Sequence, residues 1–247
     1  THPTNEMFHH TLTMDDGWIV GGRYENVSVS YGSSSDYMIS ESESSLYRSA
    51  AYSAGYRITV DGQLVEFNNA NYVPSVNWDT SDPIIAISPF EQSGAQCVLL
   101  ESGALRCWGS NNYGEVGDAT FSTASSVSPS NSANVSFPVP YSPKQISTGY
   151  DKSCAVLENG EVYCWGLNHG HRHLGIGTGC NSNDWANGCN GNYGIPEPTL
   201  PVILPDGISA ESVYVGLTYY SPTCVVMSDG NAYCWGQNNY GQLGNGN

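Results

Sequence analysis

Hydrophobic and polar positions along this chain fall into a repeated strand-turn-strand rhythm, cleanest between Cys224 and Gly244. Cys224, Val225, Val226 and Met227 make a run of β-formers, Ser228-Asp229-Gly230 turns the chain, and Ala232, Tyr233, Cys234 and Trp235 run back. That pattern predicts a β-hairpin. Cys97 to Gly117 and Cys154 to Gly175 repeat it, with Glu101-Ser102-Gly103 and Glu158-Asn159-Gly160 at the turns. In each copy the two cysteines are ten residues apart and symmetric about a single residue. If they face each other the loop has an odd length, and three residues fit best. Such a loop is commonly a type I turn followed by a left-handed residue, the place that Gly103, Gly160 and Gly230 occupy.

Two weaker copies lie upstream. One runs from Tyr56 to Tyr72 around Gly62, with Phe67 where the others carry tryptophan; the other runs from His10 to Gly22 around Gly17. Neither has the cysteine pair. The turn glycines at 17, 62, 103, 160 and 230 recur at intervals of roughly 40 to 70 residues, the spacing of propeller blades or a solenoid. Short apolar segments, Ile84–Ile87, Gln145–Thr148 and Val213–Val215, precede the cysteine hairpins and are expected to be inner strands buried on both faces. Alternation at Val27, Val29 and Tyr31 predicts an exposed strand before a loop. Prolines at 138, 140, 143, 196, 198, 201 and 205 mark the crossings between blades, because proline cannot donate to a central ladder. No segment carries a helical pattern. The expected fold is all-β, a propeller-like array of about five disulfide-stapled hairpin blades. It is read as a single domain over residues 1–247, with degenerate repeats near 7–83 and full repeats near 84–247.

The motif Cys-x-x-x-x-x-Gly-x-x-x-Cys-Trp-Gly-x-Asn-x-x-Gly-x-Leu-Gly resembles the repeat of the regulator of chromosome condensation family, in the secreted, cysteine-paired form of bacterial and archaeal surface proteins. The resemblance is strong over residues 84 to 247 and weak over 7 to 83. It implies a β-propeller, usually of seven blades, whereas five hairpins are recognisable here.

Composition narrows the function. Only 12% of residues are charged, yet 23 acidic against 7 basic residues leave a net charge of −16. Such a surface repels nucleic acid and anionic lipid, so the chromatin role of the family's founding members is not expected here. Eight cysteines, six in ten-residue pairs plus Cys180 and Cys189, with no Cys-x-x-Cys knuckle, favour disulfides over zinc. Disulfides imply an oxidising compartment, outside the cell or on its surface. The expected pairs are Cys97 with Cys107, Cys154 with Cys164, Cys180 with Cys189 and Cys224 with Cys234, with Cα atoms roughly 5.5 Å apart. No apolar run reaches the length of about 18 residues that a spanning helix needs, so no membrane insertion is expected. Nor does a basic, apolar leader open the chain, and Thr1 is expected to begin a processed protein.

Candidate chemistry is sparse. The loop from Gly177 to Asn192 is rich in oxygen ligands, and Asn181, Asn183 and Asp184 are weak candidates for calcium, as are Glu115 and Asp118. A plain exposed loop is the favoured reading. His169-Gly-His171-Arg-His173 is a weaker candidate for a transition metal, and a solvent-facing loop is preferred. Asn26-Val-Ser28 and Asn134-Val-Ser136 are glycosylation sequons. Trp108, Trp165 and Trp235 suit either carbohydrate stacking or blade-to-blade packing; their identical place in every hairpin favours the core, with Phe67 as their counterpart. Trp78 and Trp185 stand outside the repeat frame as candidates for recognition. Nucleophile elbows, phosphate loops and metalloprotease motifs are absent from the sequence, so an enzyme is not expected, and a glycan-cleaving one ranks last.

The favoured function is a self-associating surface or filament subunit. The reasons are 17 tyrosines, and a chain whose last hairpin unit stops at Gly241–Asn247, where the repeat pattern would continue and an edge is expected to stay open. The expected partners are copies of itself. The alternative is a secreted module or inhibitor that grips another secreted or surface protein through the loops of one propeller face.

Overall fold

A turn that must bring two cysteines face to face dictates the local structure, and the computed structural model places it three times. It describes residues 12–13, 19–20, 28–31, 35–38, 52–53, 56–58, 64–68, 71–73, 81–88, 94–169, 173–177, 193–218 and 221–246. The chain divides into two compact units, Thr1–Pro83 and Ile84–Asn247. The division falls where the degenerate repeats give way to the full ones.

In the first unit, β1 (Leu12–Thr13) pairs with β2 (Ile19–Val20), β3 (Ser28–Tyr31) with β4 (Ser35–Met38), and β5 (Tyr52–Ser53), β6 (Tyr56–Ile58), β7 (Leu64–Asn68) and β8 (Asn71–Val73) form a sheet in that order. The hairpins expected around Gly17 and Gly62 are therefore present as β1-β2 and β6-β7. The strand expected near Val27–Tyr31 is one arm of a further hairpin, with Tyr31 opposite Ser35.

Three antiparallel sheets make the second unit. The first is β9 (Ile84–Ile87), β10 (Ala95–Leu100), β11 (Leu105–Asn111) and β12 (Ser122–Val127); the second is β13 (Pro143–Thr148), β14 (Lys152–Leu157), β15 (Val162–Leu167) and β16 (Gly194–Ile195). The third is β17 (Ala210–Val215), β18 (Thr223–Met227) and β19 (Ala232–Trp235). At the first turn the Leu100 N–H donates to the Ala104 carbonyl and the Gly103 N–H to Leu100, each at 2.9 Å. Gly103 has φ 84°, and Gly160 and Gly230 at the same place have φ 84° and 83°. These are three-residue loops closed by a left-handed glycine.

The register places Cys97 opposite Cys107, Cys154 opposite Cys164 and Cys224 opposite Cys234, and all three pairs are bonded. Their Cα atoms lie 4.0, 4.1 and 4.1 Å apart. The spacing of roughly 5.5 Å expected from the sequence belongs to the hydrogen-bonded pair of a ladder; here each cystine occupies the narrow, non-hydrogen-bonded pair. Cys180 and Cys189 lie outside the described residues.

The first strands differ from expectation as well. Ile85 in β9 is 49% exposed and Tyr214 in β17 is 58% exposed, so these strands are not buried on both faces. They are sheet edges, hydrogen-bonded on one side only, and the pleat turns alternate side chains outward. Among the described residues the strands buried on both faces are β10, β14 and β15, all interior to their sheets.

Packing between sheets repeats. Cys97, Leu105 and Cys107 of the first sheet lie in one core cluster with Ile146, Ala155 and Trp165 of the second. Cys154, Val162 and Cys164 of the second sheet lie in another with Val213, Val225 and Met227 of the third. The disulfide faces of the first two sheets are thus each covered by the tryptophan face of the following sheet. Edge strands are tied together too: Gln145 Oε1 accepts the Val213 N–H at 2.9 Å, and Ser147 Oγ accepts the Val215 N–H at 2.9 Å.

Candidate functional site

The junction that links one sheet to the next is built by the polar loop after the third strand. Asn111 ends β11, and its Oδ1 accepts the Val116 N–H at 3.1 Å. Glu115 folds inward: its carboxylate accepts the Tyr113 N–H at 2.8 Å and the Ser110 hydroxyl at 2.6 Å, and the residue is wholly buried. The Glu115 carbonyl then accepts the Trp165 indole N–H at 3.0 Å and the Ser153 hydroxyl at 2.8 Å. Gly117, with φ 80°, lies against that indole so closely that a Cβ there would sit 2.6 Å from Nε1. Only glycine fits both the conformation and the space.

The second junction repeats the first. Asn168 Oδ1 accepts the Leu174 N–H at 3.2 Å, the His173 carbonyl accepts the Trp235 indole N–H at 3.1 Å, and a Cβ on Gly175 would meet that indole at 2.7 Å. Trp165 is fully buried, Trp108 is buried, and Trp235 is half-buried against the core of its junction. Phe67 lies in β7 opposite Tyr72.

Charged groups are drawn into the first junction. Burial, and secondarily the Glu115 charge, pushes the Asp151 carboxyl up to about 7 from 3.8. Burial brings the Lys152 ammonium down to about 8 from 10.5, and its Nζ donates to the Ser221 carbonyl at 2.8 Å. Glu115 itself is raised by burial. The Asp151 Oδ2 atom is buried without a hydrogen-bond partner. Between the two Asp151 values the folded chain holds a proton that the unfolded chain has released, so stability falls as pH rises from about 4 to 7. Between about 8 and 10.5 the unfolded lysine holds a proton that the folded one lacks, so stability recovers. Asp151→Asn is expected to flatten the acid-side fall, by about 1 kcal/mol after solvent screening, in thermal melts from pH 4.5 to 7.5.

Other candidate residues are dispersed. Asp118 Oδ1 accepts the Thr120 N–H at 3.0 Å and the Thr120 hydroxyl at 2.6 Å, a local turn separate from the inward Glu115 carboxylate. Among the described residues no group of three or more His, Cys, Asp and Glu side chains gathers to hold a metal. His169 is exposed, with its ring edge-on to Tyr193 at 4.8 Å, while His173 is buried. Asn134 is exposed. Asn181, Asn183, Asp184, Asn26, His171, Trp78 and Trp185 lie outside the described residues.

Glu115 stands out in the sequence only as a weak cation ligand, and Asp151 and Lys152 have no prominence there, since such residues usually read as surface. One signal does point to the first: Tyr-Gly-Glu at 113–115 and Tyr-Gly-Gln at 240–242 share a position in the repeat.

The third sheet departs from the other two. Its disulfide face is open: Tyr214 is 58% exposed and Cys234 is exposed, whereas Cys107 and Cys164 are 0% and 2% exposed. Among the described residues β19 pairs on one side only.

The family pattern described as Regulator of chromosome condensation (RCC1) repeat matches residues 97–115, 144–171 and 220–242, one stretch in each of these sheets. The chain is similar to the RCC1 domain-containing protein RUG3, mitochondrial, of Arabidopsis thaliana, 24% identical over 200 residues, which are 75% of this chain and 38% of that protein. It is also similar to the probable E3 ubiquitin-protein ligase HERC4 of Homo sapiens, 31% identical over 102 residues, 40% of this chain and 8% of that one. It therefore spans well under half of these curated relatives. Among solved structures, yeast RCC1 (Prp20) bound to Kap60 superposes with a TM-score of 0.55 at 16% identity, over 82% of this chain and 46% of that one. Human WBSCR16 gives 0.54 at 17% identity, over 76% and 46%. At such identities the likeness concerns the fold.

Proposed function

We propose that this chain, three stretches of which match the RCC1 repeat, is a non-catalytic, self-associating surface or filament subunit that works in an oxidising, extracellular setting. The observation that carries this reading is the open disulfide face of the third sheet. In the two preceding sheets the same face is sealed by a neighbour, and here Tyr214, Ala232 and Cys234 meet solvent. Exposed aromatic area with few charges favours association, because tyrosine buries carbon while keeping a hydroxyl for hydrogen bonding. Three cystines in the described residues support the oxidising setting. A contact between unlike faces that does not close on itself propagates as a filament.

Negative-stain micrographs of the purified chain test the reading. Rows or filaments are expected; a uniform field of single particles at micromolar concentration would overturn it.

A second reading, a module that grips another secreted or surface protein, is favoured by the connections between sheets. Tyr141 in one connection is 45% exposed, and Leu200 and Ile203 in the next are 50% and 71% exposed. Beside the first lies an open groove of about 340 Å³ lined by Leu105, Val135, Phe137 and Tyr141. Pull-down of a single tight partner that Ile203→Asp abolishes would support this reading over self-association.

A further inference from the structure

The sequon at Asn134 falls among the described residues, and the fold sets it at the rim of a groove. The segment that carries it runs beside β11: Arg106 and Asn134 form an antiparallel bridge, the Val135 N–H donates to the Leu105 carbonyl at 2.8 Å, and the Arg106 guanidinium donates to the Ser132 carbonyl at 2.6 Å. Extended backbone paired in this way turns alternate side chains to opposite sides. Val135 is accordingly 7% exposed, whereas Asn134 and Ser136 are both exposed. The amide and the hydroxyl of the sequon thus face solvent together, and among the described residues neither is committed to a hydrogen bond.

Both residues line an open groove of about 340 Å³ whose lining also includes Leu105, Val135, Phe137 and Tyr141. Phe137 is held edge-on to Tyr163 and Trp165, with ring centroids 5.8 and 6.1 Å apart, so the core beneath fixes its ring. Tyr141 is 45% exposed. Among the described residues no charged side chain lines the groove. An aromatic wall with an amide and hydroxyls at its rim suits a neutral sugar ring, whose C–H face packs on aromatic carbon while its hydroxyls keep their water.

We infer that Asn134 is a site of N-linked glycosylation and that the innermost sugar of its glycan lies against this groove. In the transfer, Asn134 Nδ2 forms a bond to C1 of an oligosaccharide as the bond from C1 to the diphosphate of a lipid-linked donor breaks. The diphosphate leaves with the bonding electrons, and the amide gives up one proton to a base of the transferase. The hydroxyl two residues on is the part of the sequon that such a transferase reads. A glycan is bulky and hydrated, so the asparagine that bears it must end on the surface, as Asn134 does. Tethering then holds the sugar beside the groove at high effective concentration, so a weak aromatic contact suffices to seat it. The inference rests on the extracellular part of the reading above, and it assigns the groove to sugar rather than to a protein partner.

The test uses the whole chain, secreted from a eukaryotic host and mapped by glycopeptide mass spectrometry. Asn134 is expected to carry an oligosaccharide, Ser136→Ala to abolish it and Ser136→Thr to keep it. An unchanged near-ultraviolet circular dichroism spectrum of both variants excludes misfolding as the cause. Hydroxyl-radical labelling then reads the groove: Tyr141 should become several-fold more reactive when an amidase removes the whole glycan, but not when an endoglycosidase leaves the innermost sugar in place. A bare Asn134 overturns the site, and formed cystines in that same sample leave the oxidising setting standing. A glycan whose removal leaves Tyr141 labelling unchanged overturns the contact with the groove. A bare Asn134 beside a Tyr141 shielded by a captured protein overturns both and gives the groove to the second reading.

Discussion

Trp165→Ala is expected to lower the stability of the second unit by about 3–5 kcal/mol, the range for deleting a large buried aromatic side chain. Three contributions act together. The indole is fully buried between the first two sheets, so its removal opens a cavity bordered by Cys97, Leu105, Cys107 and Val116. It packs edge-on to Phe137, with ring centroids 6.1 Å apart and planes at 79°, a geometry that adds to simple burial. Its N–H donates to the Glu115 carbonyl, and loss of one such bond inside a junction costs about 1 kcal/mol. Trp235→Ala is expected to cost less, because Trp235 is only half-buried. Urea unfolding of both variants, followed by near-ultraviolet circular dichroism, checks the order. Equal losses would mean that the two junctions are not graded by burial.

The second large effect concerns the cystines. The three in the described residues close loops with a sequence separation of 10, so the chain-entropy contribution is about the same for each, about 3 kcal/mol. Burial separates them. Cys154 and Cys164 are 1% and 2% exposed within the core between the second and third sheets, whereas Cys234 is exposed. Replacing Cys154 and Cys164 by alanine should therefore cost about 1–2 kcal/mol more than replacing Cys224 and Cys234, through lost packing in the closed junction. Under a mild thiol reductant the Cys224–Cys234 bridge should open first, since attack needs access to sulfur. Peptide mapping after timed alkylation reads this directly, and earlier loss of Cys154–Cys164 would contradict it.

Local rules made much of the architecture legible. An odd loop between facing cysteines, with glycine at its third position, leaves few alternatives to a hairpin, and Gly103, Gly160 and Gly230 adopt the left-handed φ that the loop demands. What local rules miss is set by neighbours. Burial of the first strands was overestimated because side-chain identity does not say how many partners an edge strand has; Ile85 and Tyr214 look like core residues yet face solvent. The β3-β4 hairpin was half seen, since Ser35–Met38 has little apolar alternation to announce it. By its charge alone Glu115 reads as a weak cation ligand. Its inward turn depends on Ser110, Tyr113 and a tryptophan 50 residues away, none of which the spacing of carboxylates reveals. The open third face likewise follows from the stacking of sheets, not from any single motif.

Self-association through that face is tested most directly by sedimentation velocity over a concentration series, comparing the wild-type chain with a variant carrying Tyr214→Lys and Ala232→Asp, two residues exposed on it. The account predicts species larger than the monomer that grow with concentration in the wild type and vanish in the variant. A single monomeric boundary in the wild type, or assemblies unaffected by the two substitutions, would contradict it.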